Sequence, residues 1–402
     1  MTTFTVRKAK RATALDRWVS FNSRPVAISA LYLLTRISRV LKVPGLGLLV
    51  SDAGVMRQIL MDGEHFSKTA PGGTSDLWDP VLRGPGLLNM SGEEHLDLKR
   101  KLTPLFSAKY LEDAIGAAVR GETDRLAARL LNGEAVDIVK SIEVTAARVI
   151  CTLSGYDLEN TEESALLEQL ERARGLMRFV KLTTKRLSDE QAEIAKRELA
   201  DLHRSIHEAF DSDRAGTIPN TLKGFGLSKH DTTSVITALV IAGTETVLSH
   251  LPRFTALLLR SGYLGELDSE SDLDAVVQEG LRVTVPTPVM LRGLKSPHQV
   301  QGRKVKPGDR VMLATIFACQ RLGYFDPTRT MPKEYRHIWF GAGVHMCIGL
   351  PLAGLEIESY LKMFIEVNRQ KPIRLERAVI RRGTLTAGYR ELVISCPTSW
   401  PN

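Results

Sequence analysis

From Val26 to Leu41 the chain is apolar, with polar breaks at Ser29, Arg36 and Arg39, and these spacings predict a helix carrying a narrow basic stripe on one face. Residues 48–66 predict a strand followed by a short helix. Between 111 and 215, long Ala/Leu/Glu/Arg-rich runs repeat with the helical period. Val235–Ala242 and Val247–Leu259 are apolar on every side, which describes a helix through the centre of a domain. Ala275–Val283 predicts another helix. Beta-like pieces are short: Gln299–Val311, with a turn at Pro307-Gly308-Asp309, and the last forty residues around Val393 and Ile394. The expected fold is mainly α with small peripheral β-sheets.

With 402 residues, 43% of them apolar and 25% charged, the chain is globular, which excludes disorder, collagen and coiled coil. No repeat or Ser/Gly-rich linker divides it, so we expect a single domain over 43–402 preceded by a basic arm and first helix over 1–42. The net charge of +8 resides in those 42 residues, where nine Lys or Arg face one acid, Asp16. The body is therefore neutral, and bulk charge gives no reason to expect nucleic-acid binding. The arm suits an acidic partner or peripheral contact with an anionic membrane, or is a solvated or core-docked tail. Its apolar stretch is too short for a membrane span and begins too late for an ordinary secretory signal; its Arg-rich composition fits an organellar transit peptide loosely. Four cysteines (Cys151, Cys319, Cys347 and Cys396) cannot build a disulfide framework, so a reducing, cytoplasmic setting is expected.

One stretch carries chemistry: Phe340-Gly341-Ala342-Gly343-Val344-His345-Met346-Cys347-Ile348-Gly349, followed by Leu350-Pro351-Leu352-Ala353-Gly354-Leu355-Glu356. Glycines let backbone approach a flat partner closely, and a Gly-rich turn entering a helix aims N–H groups at a sulfur anion. Such a thiolate is a metal ligand or a nucleophile; a lone cysteine is otherwise a small buried hydrophobe. Upstream, Gly243-Thr244-Glu245-Thr246 interrupts the central apolar helix. A mid-helix glycine costs about 1 kcal/mol relative to alanine, and a buried carboxylate without a partner costs more, so the interruption needs a reason.

The cysteine stretch resembles the haem-binding signature of the cytochrome P450 family, Phe-x-x-Gly-x-His-x-Cys-x-Gly and then x-x-Leu-Ala-x-x-Glu, with every defined position filled. The resemblance covers roughly residues 45–400 and implies the cytochrome P450 fold, a triangular helical domain with haem b between the oxygen-binding helix and the cysteine loop. It implies that Cys347 is the iron ligand, that His345 bonds a propionate, and that Phe340, Gly341 and Gly349 shape the loop around the sulfur. By the same resemblance Ala242 and Gly243 leave room for the ligand where the helix opens, Thr246 hydrogen-bonds dioxygen, and Glu245 relays protons from solvent. Glu279 and Arg282 match the family's Glu-x-x-Arg ion pair, with Arg329 as third member and Arg336 as the fallback, and Arg292 as a propionate ligand. His95 matches the propionate helix, where the usual arginine is replaced by Lys99 with Arg100 beside it.

The implied activity is a monooxygenase inserting one atom of O2 into a hydrophobic small molecule. No flavin or nicotinamide fingerprint appears, so electrons are expected from a ferredoxin and its reductase, docking near Lys99, Arg100, Lys101 and Arg336. The segment between Arg321 and His337 is shorter than is usual in the family. The expected pocket wall is Leu77, Trp78, Leu82, Leu87, Leu88, Met177, Phe179, Val180, Leu239, Thr287, Val289, Met290, Leu385 and Thr386, a mostly apolar set that fits a lipid-like, terpenoid or polycyclic substrate. A monomer is expected. The competing readings are a peroxide-driven or non-oxygenating haem-thiolate enzyme, a haem-based sensor without turnover, and nucleic-acid binding through the arm.

Overall fold

The computed structural model describes residues 4–212, 216–268 and 271–397; residues 1–3 of the basic arm and 213–215 of the long helical run lie outside them. One helix organises the rest. Lys229–Ser261 is long and apolar enough to cross a membrane, yet it is sheathed by protein along most of its length, as an all-round apolar helix requires. It is capped by Ser228, whose hydroxyl accepts the Asp231 N–H, and stopped by Gly262 at φ 76°. Helices Val6–Ser23, Ile138–Leu153 and Glu163–Gly175 pack along it, and Leu350–Gln370 packs on Ala117–Leu131.

Three small sheets lie at the periphery. The largest runs in the order Val40–Val43, Gly47–Val50, Arg310–Leu313, Met290–Leu294, Phe66–Ser67, with one parallel pairing between Gly47–Val50 and Arg310–Leu313. That crossing is close: a side chain on Gly47 would meet the Arg310 carbonyl at 2.0 Å. A second sheet joins Val136–Asp137, Tyr389–Ser395 and Arg374–Ile380. The third is the hairpin His298–Val300/Arg303–Val305. The expected mainly α fold with small sheets is the observed one.

The helix expected over Val26–Leu41 is shorter, Pro25–Ile37. Ser38 turns extended, and its hydroxyl bonds the backbone of Val40, which opens the strand Val40–Val43. Arg39 therefore leaves the basic stripe and pairs with Asp52 at 3.1 Å. That strand straddles the boundary expected at residue 42. The arm itself is a docked helix, Val6–Ser23, burying Ala9, Ala12, Thr13, Asp16, Val19, Ser20 and Ser23 at helical spacing. Its single acid is the anchor: Arg253 donates to both Asp16 oxygens at 2.8 and 2.7 Å, and both side chains are buried.

Candidate active site

Cys347 sits two residues before Gly349, the N-cap of Leu350–Gln370, with Pro351 in the first turn where its missing N–H is least needed. The loop folds back on itself, so that the Cys347 N–H donates to the Phe340 carbonyl at 2.9 Å. This reversal requires Gly341 and Gly343 at φ 83° and 65°. The sulfur faces a cavity. Burial holds the thiol above its ordinary value, against the N–H groups of Gly349 and Leu350 and the ammonium groups of Lys68 and Lys99, which favour the thiolate. The helix start alone therefore does not ionise Cys347, as the sequence had suggested; burial outweighs it.

The cavity has two connected lobes, of about 270 and about 310 Å³. Lys68, Leu88, Ala242, Thr246, Met290, Phe340 and His345 border both. The smaller lobe lies between the cysteine loop and the central helix; the larger lies beyond it. Ala242 and Gly243 are open to this space although they stand mid-helix. The helix does not open there: Lys229–Ser261 is continuous, and the Thr246 hydroxyl is shared between the carbonyls of Ala242 (3.3 Å) and Gly243 (3.2 Å).

Cationic and imidazole groups gather where the lobes meet: Lys68 and His345 border both, Arg292 borders the larger, and His95 stands behind His345. His345 Nδ1 lies 3.1 Å from His95 Nε2, and burial with nearby cations pushes His95 down to about 4 and His345 further. His95 Nδ1 is buried without a partner. Arg292 is buried, donates to its own neighbour's carbonyl at Leu291 (2.8 Å), and is pushed down to about 10 by burial. Lys68 donates to the Leu87 carbonyl at 2.8 Å; burial and the charge of Arg292 push it down to about 7. Among the described residues no carboxylate pairs with Arg292 or Lys68. Lys68 carried no signal in the sequence, since nothing local marks its ammonium as cavity-facing.

Lys99 and Arg100 part company. Lys99 donates to the carbonyls of Val344 (2.8 Å) and Met346 (2.7 Å), tying its helix, Glu93–Leu102, to the cysteine loop. Arg100, a residue further round the helix, is exposed and pairs with Asp97 at 3.4 Å, so it does not reach the cofactor cavity. Lys101 also pairs with Asp97, at 3.1 Å.

Glu245 is buried and gripped. Arg381 donates to both oxygens (2.5 and 3.1 Å), Arg174 to one at 2.9 Å, and the Thr386 hydroxyl to the other at 3.3 Å. Burial would raise its pKa, but the two guanidinium groups outweigh burial and hold it below the usual carboxylate range. It is thus an ion-paired carboxylate rather than a solvent-facing one, in contrast to the open relay expected.

Arg282 grips Glu279 at 2.7 and 2.6 Å and donates to the carbonyls of Cys319, Gly323 and Tyr324. Arg329 approaches Glu279 at 4.0 Å and bonds the carbonyls of Leu322 and Tyr324, whereas Arg336 is exposed. Of the expected pocket wall, Leu77, Trp78, Leu88, Met177, Val180, Thr287, Val289, Met290, Leu385 and Thr386 line the larger lobe, and Leu239 the smaller. Three do not. Leu82 is packed in the core, Leu87 presents its carbonyl to Lys68, and Phe179 lies under the Arg178 guanidinium.

The family model described as Cytochrome P450 matches residues 272–377, which span the Glu279–Arg282 pair, Arg292 and the cysteine loop. The chain is 26% identical over 387 residues to pentalenic acid synthase of Streptomyces avermitilis, covering 90% of this chain and 91% of that protein. It is 25% identical to mycinamicin IV hydroxylase/epoxidase of Micromonospora griseorubida, covering 77% and 79%. Among solved structures, a mutant of P450 EryK in complex with erythromycin B superposes with a TM-score of 0.74 at 20% identity, over 98% of this chain and 99% of that one, a likeness of fold. With this family model over the cysteine loop and ion pair, and with these relatives along most of its length, the chain belongs to the cytochrome P450 family of haem-thiolate monooxygenases.

Proposed function

We propose that the protein binds haem b through Cys347 and inserts one atom of O2 into an apolar small molecule, with electrons delivered by a ferredoxin and its reductase. The observation that carries this is the Cys347 sulfur facing a cavity ringed by cations that have no carboxylate of their own. Those residues fit the group: a dianionic porphyrin answers the buried Arg292 and Lys68 and the orphaned His95 Nδ1. His95, His345, Arg292 and Lys68 would hold the propionates. Lys99 positions the loop from behind. When bound, the haem supplies the activation of oxygen. The Gly349 and Leu350 N–H groups, which favour the charged form of the Cys347 sulfur, would support it as a thiolate ligand.

Thr246 stands at the cavity wall, where its hydroxyl, held by the carbonyls of Ala242 and Gly243, could turn to donate a hydrogen bond into the cavity. Glu245 takes up a proton only when Arg381 or Arg174 releases an oxygen, so we assign it gated proton handling. The Leu77, Trp78, Met177 and Val180 wall excludes water and favours an apolar substrate. Arg282, Glu279 and Arg329 hold the fold beneath the loop.

We infer peripheral membrane contact as well. Val26 (86% exposed), Leu33 (62%) and Ile37 (73%) line an outward helix face beside the exposed Arg36 and Arg39, an apolar stripe with a basic rim.

The test is the absorption spectrum of the reduced protein under carbon monoxide: a thiolate-type band in the wild type and none in Cys347→Ser. Product formation with ferredoxin, its reductase and a reduced nicotinamide supports the electron route. Turnover with hydrogen peroxide but none with the ferredoxin system overturns it.

A further inference from the structure

Away from the cavity, three donor side chains meet where the turn after the helix Ala53–Met61 faces the hairpin His298–Val300/Arg303–Val305. Asp62 caps the end of that helix, and its Oδ1 accepts the N–H groups of Glu64 (3.2 Å) and His65 (3.0 Å), which fixes the carboxylate. His65 Nδ1 lies 2.8 Å from Asp62 Oδ2. The His298 ring comes from the other side, its centroid 4.1 Å from that of His65 and its plane tilted by 36°. One nitrogen of each imidazole and one carboxylate oxygen all lie within 4.8 Å of one another, and all three side chains are half-buried.

The Asp62–His65 hydrogen bond accounts for two of these groups; the second imidazole packs on His65 and edge-on to Phe66 (5.5 Å), contacts that use its ring but neither nitrogen. The Lys295 ammonium is engaged elsewhere, by the Gly63 carbonyl at 2.7 Å.

We propose that Asp62, His65 and His298 form a binding site for a divalent transition metal, with zinc the best match to two imidazoles and one carboxylate. Donors around a tetrahedral zinc with bonds of about 2.0–2.1 Å stand roughly 3.3 Å apart, so side-chain rotation closes the present spacing without moving backbone. Three protein ligands leave a fourth position for water. Softer thiolate is absent from the set, and two nitrogen donors make magnesium or calcium a poor fit.

The site reaches the centre indirectly. The helix Ala53–Met61 touches the cysteine loop, where a side chain on Gly343 would stand 3.2 Å from the Leu60 carbonyl. Metal between Asp62 and His298 would pin the hairpin to this helix and stiffen the platform beside the loop.

The experiment uses untagged holoenzyme, dialysed against micromolar zinc chloride and then assayed for zinc and iron by atomic emission. We expect about one zinc per chain, lost in His298→Ala and in Asp62→Asn, while haem content and the carbon monoxide band stay unchanged. Zinc should raise the thermal midpoint of the wild type and not of the variants. Zinc well below one per chain, or undiminished zinc in the His65→Ala/His298→Ala double variant, overturns the proposal.

Discussion

Arg381 and Glu245 meet side by side, with Nη2 2.5 Å from Oε2 and Nη1 3.1 Å from Oε1, although 136 residues separate them. Arg381 stands just past the strand Arg374–Ile380 and Glu245 in the middle of the central helix, so the contact fastens the C-terminal sheet to that helix. Arg174 closes the other side and also bonds Glu143.

Glu245→Gln leaves two half-buried guanidinium groups short of their counter-ion. We expect a loss of about 3–5 kcal/mol at pH 7 by urea denaturation. The native pKa is depressed, so this stability is present above the ordinary carboxylate pKa and is lost as pH falls through the native value. The gap between wild type and variant should therefore narrow below about pH 4.5. A pH-independent gap would show that ionisation is not its source.

Asp16→Asn tests the anchor of the first helix. Arg253 would keep its bonds to Ser20 and to the carbonyls of Thr284 and Val285 but lose its charge partner. A destabilisation of about 3–5 kcal/mol is expected, with early proteolysis within residues 4–23. Unchanged stability would mean that the arm contributes nothing to the fold.

Arg292→Gln and Lys68→Gln each remove one charged donor from the proposed propionate shell. A charge-assisted hydrogen bond contributes about 1.5–3 kcal/mol, so haem transfer to an acceptor protein should accelerate roughly 10- to 100-fold in each. Arg100→Gln serves as the control, because Arg100 points to solvent; its haem retention should match the wild type.

Glu356, buried in the wall of the smaller lobe, is pushed up to about 8 by burial. A carboxyl whose native pKa is raised loses stability as pH climbs from its unfolded value near 4.5 towards 8, by up to about 1.4 kcal/mol per pH unit. Glu356→Gln should remove that slope, so that variant and wild type diverge in the variant's favour between pH 5 and 8. Parallel stability curves would place the titration elsewhere.

Leu33→Ser/Ile37→Ser should weaken cosedimentation with phosphatidylglycerol vesicles by about tenfold or more, given roughly 1.5–3 kcal/mol for burying each side chain. Salt should weaken wild-type binding through Arg36. Equal binding to neutral vesicles would contradict the basic rim's role.

The cysteine loop was legible because its determinants are contiguous: Phe340, Gly343, His345, Cys347 and Gly349 stand within ten residues, and glycine at positive φ is a local requirement. The central helix was legible for a similar reason, since apolar residues on every side describe burial without reference to any partner. Glu279 and Arg282, three residues apart on one helix, are again local.

Periodicity tells which residues share a face, but it does not name the surface packed against that face. Asp16 finds Arg253 across 237 positions, and Glu245 finds Arg174 and Arg381 across 71 and 136. The choice between Lys99 and Arg100 turned on a rotation of about 100° around a helix, fixed by where the cysteine loop lies. Leu82, Leu87 and Phe179 carry the same apolar character as the side chains that do line the cavity. Local chemistry thus determined the cysteine loop and the central helix, and tertiary packing decided which charges pair and which side chains line the cavity, because both depend on surfaces distant along the chain.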